Sequence, residues 1–209
     1  VDMAFGVPGE SYLSVLDALY DARDDIKFVI CRQEGGAANM AEAYGKLTGR
    51  PGICFVTRGP GATNASIGLH TAFQDSTPLI LFIGQIDSEY TERESFQEID
   101  YRRMYGQMAK WVAQIDRPER VPEMVSHAFH LAVSGRPGPV VLALPEDMQT
   151  ATATVPDTAR YQRVAAHPGA DDMNKLRDML AQAERPFVMV GGGGWSKKAC
   201  EDFQAFATA

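Results

Sequence analysis

One glutamate stands where an apolar run gives way to a helix-like segment. Glu34 follows the run Phe28–Cys31 and precedes Gly35–Gly45, which is rich in alanine and glycine. This pattern predicts a buried strand, a short turn and a helix with a small-residue face. Ligands of open α/β sheets bind at that strand-to-helix edge, so a carboxylate there could exchange a proton with a ligand. On this segment alone a surface glutamate is an equal alternative, because the helix dipole favours acidic residues in a first turn.

Two further glycine-containing turns have the same setting, between an apolar run and a helical pattern. They are Phe5–Ser11 and Thr57–Asn64. Glycine lets a ligand approach the backbone, and the start of a helix attracts negative charge. The second turn is similar to a dinucleotide fingerprint, but Asn64 replaces the third glycine and no acidic residue clearly follows at the expected spacing. Ordinary turn chemistry explains each turn singly, whereas three such turns on one sheet edge favour a shared crevice.

Apolar runs and helical patterns alternate along most of the chain. The predicted strands are Met3–Val7, Lys27–Cys31, Gly52–Val56, Leu79–Ile83, Trp111–Ile115 and Val140–Leu144. The predicted helices are Ser11–Ala22 with Ser11 as N-cap, Gly35–Thr48, Ala62–Phe73 and Pro118–Ser134. Apolar strands separated by helices predict an α/β domain whose parallel sheet is covered on both faces. The long polar segment Asp87–Met108 between them is typical of a functional loop.

Composition narrows the class of protein. The net charge is −7 and no basic stripe carries interleaved aromatic residues, so nucleic acid is not an expected partner. The longest apolar run, Leu79–Ile83, is far too short to span a membrane. The cysteines at 31, 54 and 200 show no metal-ligand spacing, which favours free thiols in the cytoplasm.

After Pro145 the sequence loses its clear hydrophobic periodicity, and residues 149–172 are rich in alanine, threonine and proline. We expect one domain over residues 1–148, a linker over 149–170 and the start of a second α/β domain over 171–209. In that second part the predicted elements are a helix at Met173–Ala183, a strand at Phe187–Val190, a turn at Gly191–Gly194 and a final helix capped by Ser196. The abrupt ends of the sequence predict a piece of a longer polypeptide.

Together these segments resemble the N-terminal part of thiamine diphosphate-dependent enzymes, most of all the large subunit of acetolactate (acetohydroxyacid) synthase and its homologues. The residues that carry the resemblance are Phe5–Gly9, Arg32–Ala38, Gly59–Asn64, Phe96–Glu98 and Ser134–Val140, in the family's order and spacing. The resemblance implies that residues 1–148 are a pyrimidine-binding domain, a three-layer αβα fold around a six-stranded, mostly parallel sheet. It also implies that residues 171–209 open a central domain, which in acetolactate synthases holds FAD near the glycines at 191–194.

The resemblance gives Glu34 a defined role. Its carboxyl group would hydrogen-bond ring nitrogen N1′ of the cofactor's aminopyrimidine and so assist removal of the thiazolium C2 proton, the step that precedes attack on a 2-keto acid. The other matched positions are Pro8 and Gly9 in a loop beside the aminopyrimidine, Pro60 and Asn64 near that ring, and Phe96 and Gln97, which face the reacting carbon from a partner subunit, with Gln97 counted as catalytic.

The implied reaction is decarboxylation of a 2-keto acid with transfer of the acyl carbanion equivalent to an acceptor. Thiamine diphosphate is the implied cofactor, with Mg²⁺ held by a C-terminal domain outside these residues and FAD as an optional third group. No metal ligand is therefore expected in this chain, and the fragment alone is expected to be inactive. Because the site forms between subunits in this family, at least a homodimer is implied.

The sequence departs from acetolactate synthases beside the expected site. Glu10 and Ser11 stand where those enzymes usually have Gly and Ala, and Gln33 and Gly35 flank Glu34 in place of the usual His and Gln. We expect these departures to affect which substrate is used more than which cofactor is bound. The alternatives are a pyruvate oxidase-like decarboxylase or oxidase, a non-catalytic relative that acts as a binding or regulatory module, and a Rossmann-type NAD or FAD protein, which is the weakest.

Overall fold

The computed structural model describes residues 1–208. It contains two compact units, Val1–Gln162 and a second that begins at Arg163. No helix within residues 1–208 is both long and apolar enough to cross a membrane.

The first unit is built on one six-stranded sheet. Its strands are β1 (Met3–Gly6), β2 (Lys27–Ile30), β3 (Gly52–Val56), β4 (Leu79–Gln85), β5 (Trp111–Gln114) and β6 (Pro139–Pro145). Its helices are α1 (Leu13–Asp21), α2 (Glu34–Thr48), α3 (Pro60–Asp75), α4 (Tyr101–Tyr105), α5 (Val121–Val133) and α6 (Glu146–Thr150), with short 3₁₀ turns at Glu10–Tyr12, Ser88–Tyr90 and Pro118–Arg120. The strand order is β2-β1-β3-β4-β6-β5 and every neighbouring pair is parallel. The predicted α/β class and all six predicted strands are confirmed.

Helices cover both faces of this sheet. The central strands β3, β4 and β6 are buried along their whole length, which explains their uninterrupted apolar sequences. Alternate residues of β4 point to opposite faces: Leu81 packs in a cluster with α2 and α3, whereas Ile80 packs in a cluster with α1 and α5. The three-layer αβα arrangement is therefore confirmed.

The start of the first helix differs from the prediction. Ser11 is not an N-cap: it is buried in the 3₁₀ turn, and its Oγ lies 2.8 Å from Oγ1 of Thr57. The helix α1 begins at Leu13, after Tyr12. The Ser11 hydroxyl is hydrogen-bonded to Thr57, after the end of β3, instead of to the backbone of the helix. Local sequence patterns do not reveal a partner this far along the chain.

The polar segment between β4 and β5 is more ordered than its sequence predicts. It contains the 3₁₀ turn Ser88–Tyr90 and the five-residue helix α4. Asp100 caps α4, because its Oδ1 accepts hydrogen bonds from the backbone N–H groups of Arg102 at 3.0 Å and Arg103 at 3.2 Å.

The second unit contains two helices in its described part, α7 (Ala170–Gln182) and α8 (Lys197–Thr208). Ser196 caps α8 as predicted, since its Oγ accepts a hydrogen bond from the N–H of Ala199 at 3.1 Å. The predicted strand Phe187–Val190 is wrong: this segment has no strand assignment, and Phe187 is 86% exposed. Through residue 208 the second unit offers it no neighbouring strand, and an isolated apolar run cannot form a sheet.

Candidate functional site

The carboxyl ends of β1 and β3 mark the point where the sheet reverses its order. β1 pairs with β2 on one side and with β3 on the other. From β1 the chain runs to β2 on one side of β1, and it then crosses over to β3 on the other side. The turns that follow these strands, Val7–Gly9 and Thr57–Gly59, lie at this topological switch point, where open α/β sheets bind ligands.

Glu34 is the first residue of α2 and lies at the same edge. The helix begins there because Gln33 adopts an extended backbone and its Oε1 accepts a hydrogen bond from the N–H of Gly36 at 2.8 Å. The Glu34 side chain is half-buried, and its Oε2 accepts a hydrogen bond from Nδ2 of Asn64 at 3.0 Å. No other hydrogen bond to this carboxylate occurs within residues 1–208, which leaves Oε1 available to a ligand. Gly61 borders Oε1, since a Cβ at that glycine would lie 3.6 Å from it.

Small residues set the distance between α2 and α3. A Cβ on Gly68 would lie 2.6 Å from the Cβ of Ala38, closer than two such atoms can approach. Gly68 is one turn beyond Asn64 in α3, and Ala38 is one turn beyond Glu34 in α2. The close helix contact therefore holds the Glu34–Asn64 pair together, and it explains why this stretch of α2 is so rich in alanine and glycine.

The turn after β1 packs directly on the turn after β3. A Cβ on Gly9 would lie 2.6 Å from the Cβ of Thr57, so only glycine fits there without displacement. Pro8, the residue before it, is exposed at the edge of the sheet. Pro60 is also exposed and opens α3 one turn before Asn64.

Phe96 and Gln97 reach the same edge from the loop between β4 and α4. Gln97 has a left-handed backbone (φ 65°) and lies against Gly59, where an added Cβ would be 2.8 Å from that of Gln97. The Phe96 side chain is exposed, at 74% of its accessible surface. Within residues 1–208 no hydrogen bond joins either residue to Glu34.

Arg58 is a central residue of this edge that its sequence context did not single out. Its side chain is only 10% exposed and forms ion pairs with Glu10 and with Glu146, the first residue of α6. Its Nε also donates a hydrogen bond to the carbonyl oxygen of Phe96 at 3.2 Å. The one sequence signal is an arginine that lies between a buried strand and a Gly-Pro-Gly turn.

The hydroxyl and thiol groups buried beneath the site are uncharged. Burial raises the pKa of Tyr101 to about 12, and its hydroxyl accepts a hydrogen bond from the N–H of Gly59 at 3.0 Å. Burial also raises the pKa of Tyr12 and of Cys54 well above their ordinary values, with the nearby Glu34 carboxylate as a smaller cause in each. The groups nearest to Glu34 in this layer, Tyr12 and Cys54, are therefore neutral. The Arg58 ion pairs with Glu10 and Glu146 are the other charged feature of this edge.

The parallel sheet, its topological switch point and the carboxylate at the start of α2 are typical of a cofactor-binding α/β domain. Residues 1–104 match the family described as thiamine pyrophosphate enzyme, N-terminal TPP binding domain. Residues 1–104 therefore belong to the N-terminal TPP-binding domain family of the thiamine pyrophosphate (thiamine diphosphate) enzymes, as the resemblance predicted.

Similarity to curated relatives extends beyond that domain. The chain is 36% identical over 210 residues to the acetolactate synthase isozyme 2 large subunit of Escherichia coli, covering 100% of this chain and 38% of the relative. It is 36% identical over 211 residues to the acetolactate synthase large subunit of Corynebacterium glutamicum, covering 99% of this chain and 33% of the relative. It is 36% identical over 204 residues to the mitochondrial acetolactate synthase catalytic subunit of Saccharomyces cerevisiae, covering 92% of this chain and 30% of the relative. The chain thus spans about a third of the length of these proteins.

Proposed function

We propose that the intact protein is a thiamine diphosphate-dependent enzyme that decarboxylates a 2-keto acid and transfers the acyl carbanion equivalent to an acceptor, as an acetolactate synthase does. Whole-chain similarity to acetolactate synthase large subunits supports this activity. The structural observation that carries it is the half-buried Glu34 carboxylate, which Asn64 orients at the switch point of the sheet.

The residues at this edge fit the aminopyrimidine half of the cofactor. An aminopyrimidine ring offers a ring nitrogen that pairs with a carboxyl group, and Glu34 Oε1 is free of protein partners within residues 1–208. The Asn64 amide fixes the other oxygen, so the carboxyl group holds one orientation without reorganisation during the reaction. The small or cyclic side chains of Pro8, Gly9 and Pro60 would let a ring lie close to the backbone at this edge. When bound, thiamine diphosphate would supply an electron sink for the carbon–carbon bond that breaks.

Glu34 then has a proton-handling role in this proposal. Its carboxyl group would share a proton with the ring nitrogen and thereby raise the basicity of the exocyclic nitrogen of the same ring. The buried neutral groups below it, Tyr12 and Cys54, exclude water from that side and strengthen such a hydrogen bond. We place Gln97 as a second group that faces the substrate, and Phe96 as an apolar contact of the cofactor.

The diphosphate half of the cofactor would need binding partners other than the residues at the β1–β3 edge. No group of three or more His, Cys, Asp or Glu side chains within residues 1–208 is placed to hold a metal ion. From the resemblance to thiamine diphosphate enzymes we propose that Mg²⁺ and the diphosphate bind to another domain, and that this domain belongs to a second subunit of a homo-oligomer. FAD is a further proposed cofactor, for which the glycines at 191–194 offer an open backbone. A cytoplasmic location stays a prediction from the sequence.

The proposal is tested with the intact protein freed of cofactors. We expect CO₂ release from pyruvate or another 2-keto acid that depends on added thiamine diphosphate and Mg²⁺, together with a carbon–carbon coupled product. CO₂ release coupled to reduction of an electron acceptor, without a coupled product, would instead assign an oxidase. Cofactor binding without turnover of any 2-keto acid would assign a binding module, and the absence of thiamine diphosphate binding would overturn the proposal.

A further inference from the structure

We infer that Arg58 is a positioning residue that fixes the Phe96–Gln97 segment at the candidate site. This inference rests on the proposed function, in which Phe96 and Gln97 face the reacting centre. Its basis is the contact set of the Arg58 guanidinium, which joins three separate loops at the carboxyl edge of the sheet.

Each arm of the guanidinium has a different partner. Nη2 donates to Oε1 of Glu10 at 3.1 Å in the turn after β1, and Nη1 donates to Oε1 of Glu146 at the end of β6. Nε donates to the carbonyl oxygen of Phe96 at 3.2 Å. The planar fork of arginine can satisfy three acceptors in different directions at once, whereas the ammonium group of lysine is a compact point charge on a flexible stem. This site therefore requires arginine in particular.

The Phe96–Gln97 segment depends on Arg58 because its own side chains anchor it weakly. The Phe96 ring is 74% exposed, so burial of the ring does not hold the backbone in place. The Glu98 carboxylate ties the loop internally by accepting hydrogen bonds from the N–H groups of Glu92 at 2.8 Å and Ser95 at 3.2 Å. Those bonds shape the loop without attaching it to the sheet. Gln85 of β4 holds the end of the loop, since its Nε2 donates a hydrogen bond to the carbonyl oxygen of Ile99 at 3.0 Å. Within residues 1–208 the Arg58–Phe96 bond is the side-chain hydrogen bond that attaches the 96–97 segment itself.

The neighbouring backbone contact makes the placement precise. Gly59 has φ 53°, which favours glycine, and it lies against Gln97, whose φ of 65° is unusual for a residue with a side chain. Arg58 and Gly59 therefore fix two consecutive residues of the loop. The direction in which Phe96 and Gln97 project follows from these two contacts.

A positioning role explains this network better than a contribution to overall stability does. The side chains of Glu10 and Glu146 are 70% and 43% exposed, so solvent screens their attraction to Arg58. If Arg58 is replaced, both carboxylates can return to water at little cost. Glu10 is also one of the departures from acetolactate synthases noted in the sequence, and its pairing with Arg58 gives that departure a structural reason.

The test compares Arg58→Met and Arg58→Lys with Arg50→Met in the intact protein. Arg50 is a matched control, because it pairs with the Asp2 carboxylate through Nη2 at 3.0 and 3.2 Å at the opposite, amino edge of the sheet. We expect both Arg58 variants to show faster amide hydrogen exchange at residues 92–98 and a kcat lowered by about 10- to 100-fold, because misplacement by about 1 Å costs that much. The KM for thiamine diphosphate should change by less than kcat does, since Phe96 is the one proposed cofactor contact that depends on Arg58, whereas Glu34, Asn64 and the two glycine turns do not. Arg50→Met should change none of these quantities.

Two results would overturn the inference: loop exchange in Arg58→Met that equals that in Arg50→Met, or a released loop with unchanged kcat. If Arg58→Met fails to fold, Arg58→Lys provides the same comparison, because lysine keeps the positive charge but lacks the Nε–H that donates to Phe96. A wild-type protein that shows no thiamine diphosphate-dependent turnover contradicts the proposed function instead. In that case the exchange of residues 92–98 still decides whether Arg58 holds the loop.

Discussion

Replacing Gly68 by alanine should disturb the site from one helical turn away. The added Cβ would lie 2.6 Å from both the carbonyl carbon and the Cβ of Ala38, and 2.8 Å from the backbone nitrogen of Asn39. Carbon atoms in contact prefer a separation of about 3.5–4.0 Å. Because most of these neighbours are backbone atoms, no rotamer change can relieve the clash, and α3 must move away from α2 by about 1 Å.

The structural displacement predicts a small loss of stability and a larger loss of activity. Overpacking costs about 1–3 kcal/mol, and alanine offsets about 1 kcal/mol of this by its higher helix propensity than glycine. The free energy of unfolding should therefore fall by up to about 2 kcal/mol. The bond from Asn64 to Glu34, now 3.0 Å, would lengthen beyond hydrogen-bonding range. We expect kcat/KM to fall by up to about 100-fold, as is typical of a 1 Å misplacement.

The assays are urea unfolding and cofactor-dependent turnover, with Gly36→Ala as the matched control. Gly36 lies in the first turn of α2, and its added Cβ would meet only Oε1 of Gln33, at 3.9 Å. That variant should be at least as stable as the wild type because no clash opposes the gain in helix propensity. If Gly68→Ala matches Gly36→Ala in both stability and activity, the helices are not held at the distance that we describe.

Two further predictions concern single hydrogen-bonded groups. Tyr101→Phe should lower the free energy of unfolding by about 1–3 kcal/mol in urea titrations, because it leaves the buried N–H of Gly59 without its acceptor; unchanged stability would contradict that. The hydrogen bond from Tyr44, followed by that from Arg50, lowers the pKa of Asp2 from 3.8 to about 2. A lowered native pKa stabilises the folded state fully above the ordinary value and loses this contribution as the pH falls toward the native one. Asp2→Asn should therefore flatten the decline in melting temperature between about pH 4 and pH 2, and a parallel decline in both proteins would refute it.

The strands were predictable because strands that are buried on both faces have continuous apolar sequences. β3, β4 and β6 are buried on both faces, and no polar residue interrupts their central part. Their ends were less predictable, since pairing decides them: β4 continues to Gln85 because β6 accompanies it as far as Pro145. Pairing also explains the wrong prediction at Phe187–Val190. This run is apolar but has no neighbouring strand, and it therefore does not form a strand.

The candidate site was predictable in its carboxylate and its turns but not in the contacts between them. Glu34 and the two glycine turns stand next to strand ends, so parallel strand topology alone brings them to one edge. Arg58 has partners 38, 48 and 88 residues away along the chain, and no local pattern encodes such distances. Ser11 was mistaken for a helix cap for the same reason, because its partner Thr57 is 46 residues away.

The most direct test of the role of Glu34 is the rate at which enzyme-bound thiamine diphosphate exchanges its C2 proton with solvent. In the intact protein, Glu34→Gln should slow this exchange by about 10²- to 10⁴-fold, the range that general acid–base groups contribute. The control is Glu123→Gln, which changes another glutamate in the first turn of a helix, the third residue of α5, and should leave the rate unchanged. An exchange rate in Glu34→Gln equal to that of the control, with cofactor bound in both, would show that Glu34 is only a helix-start residue.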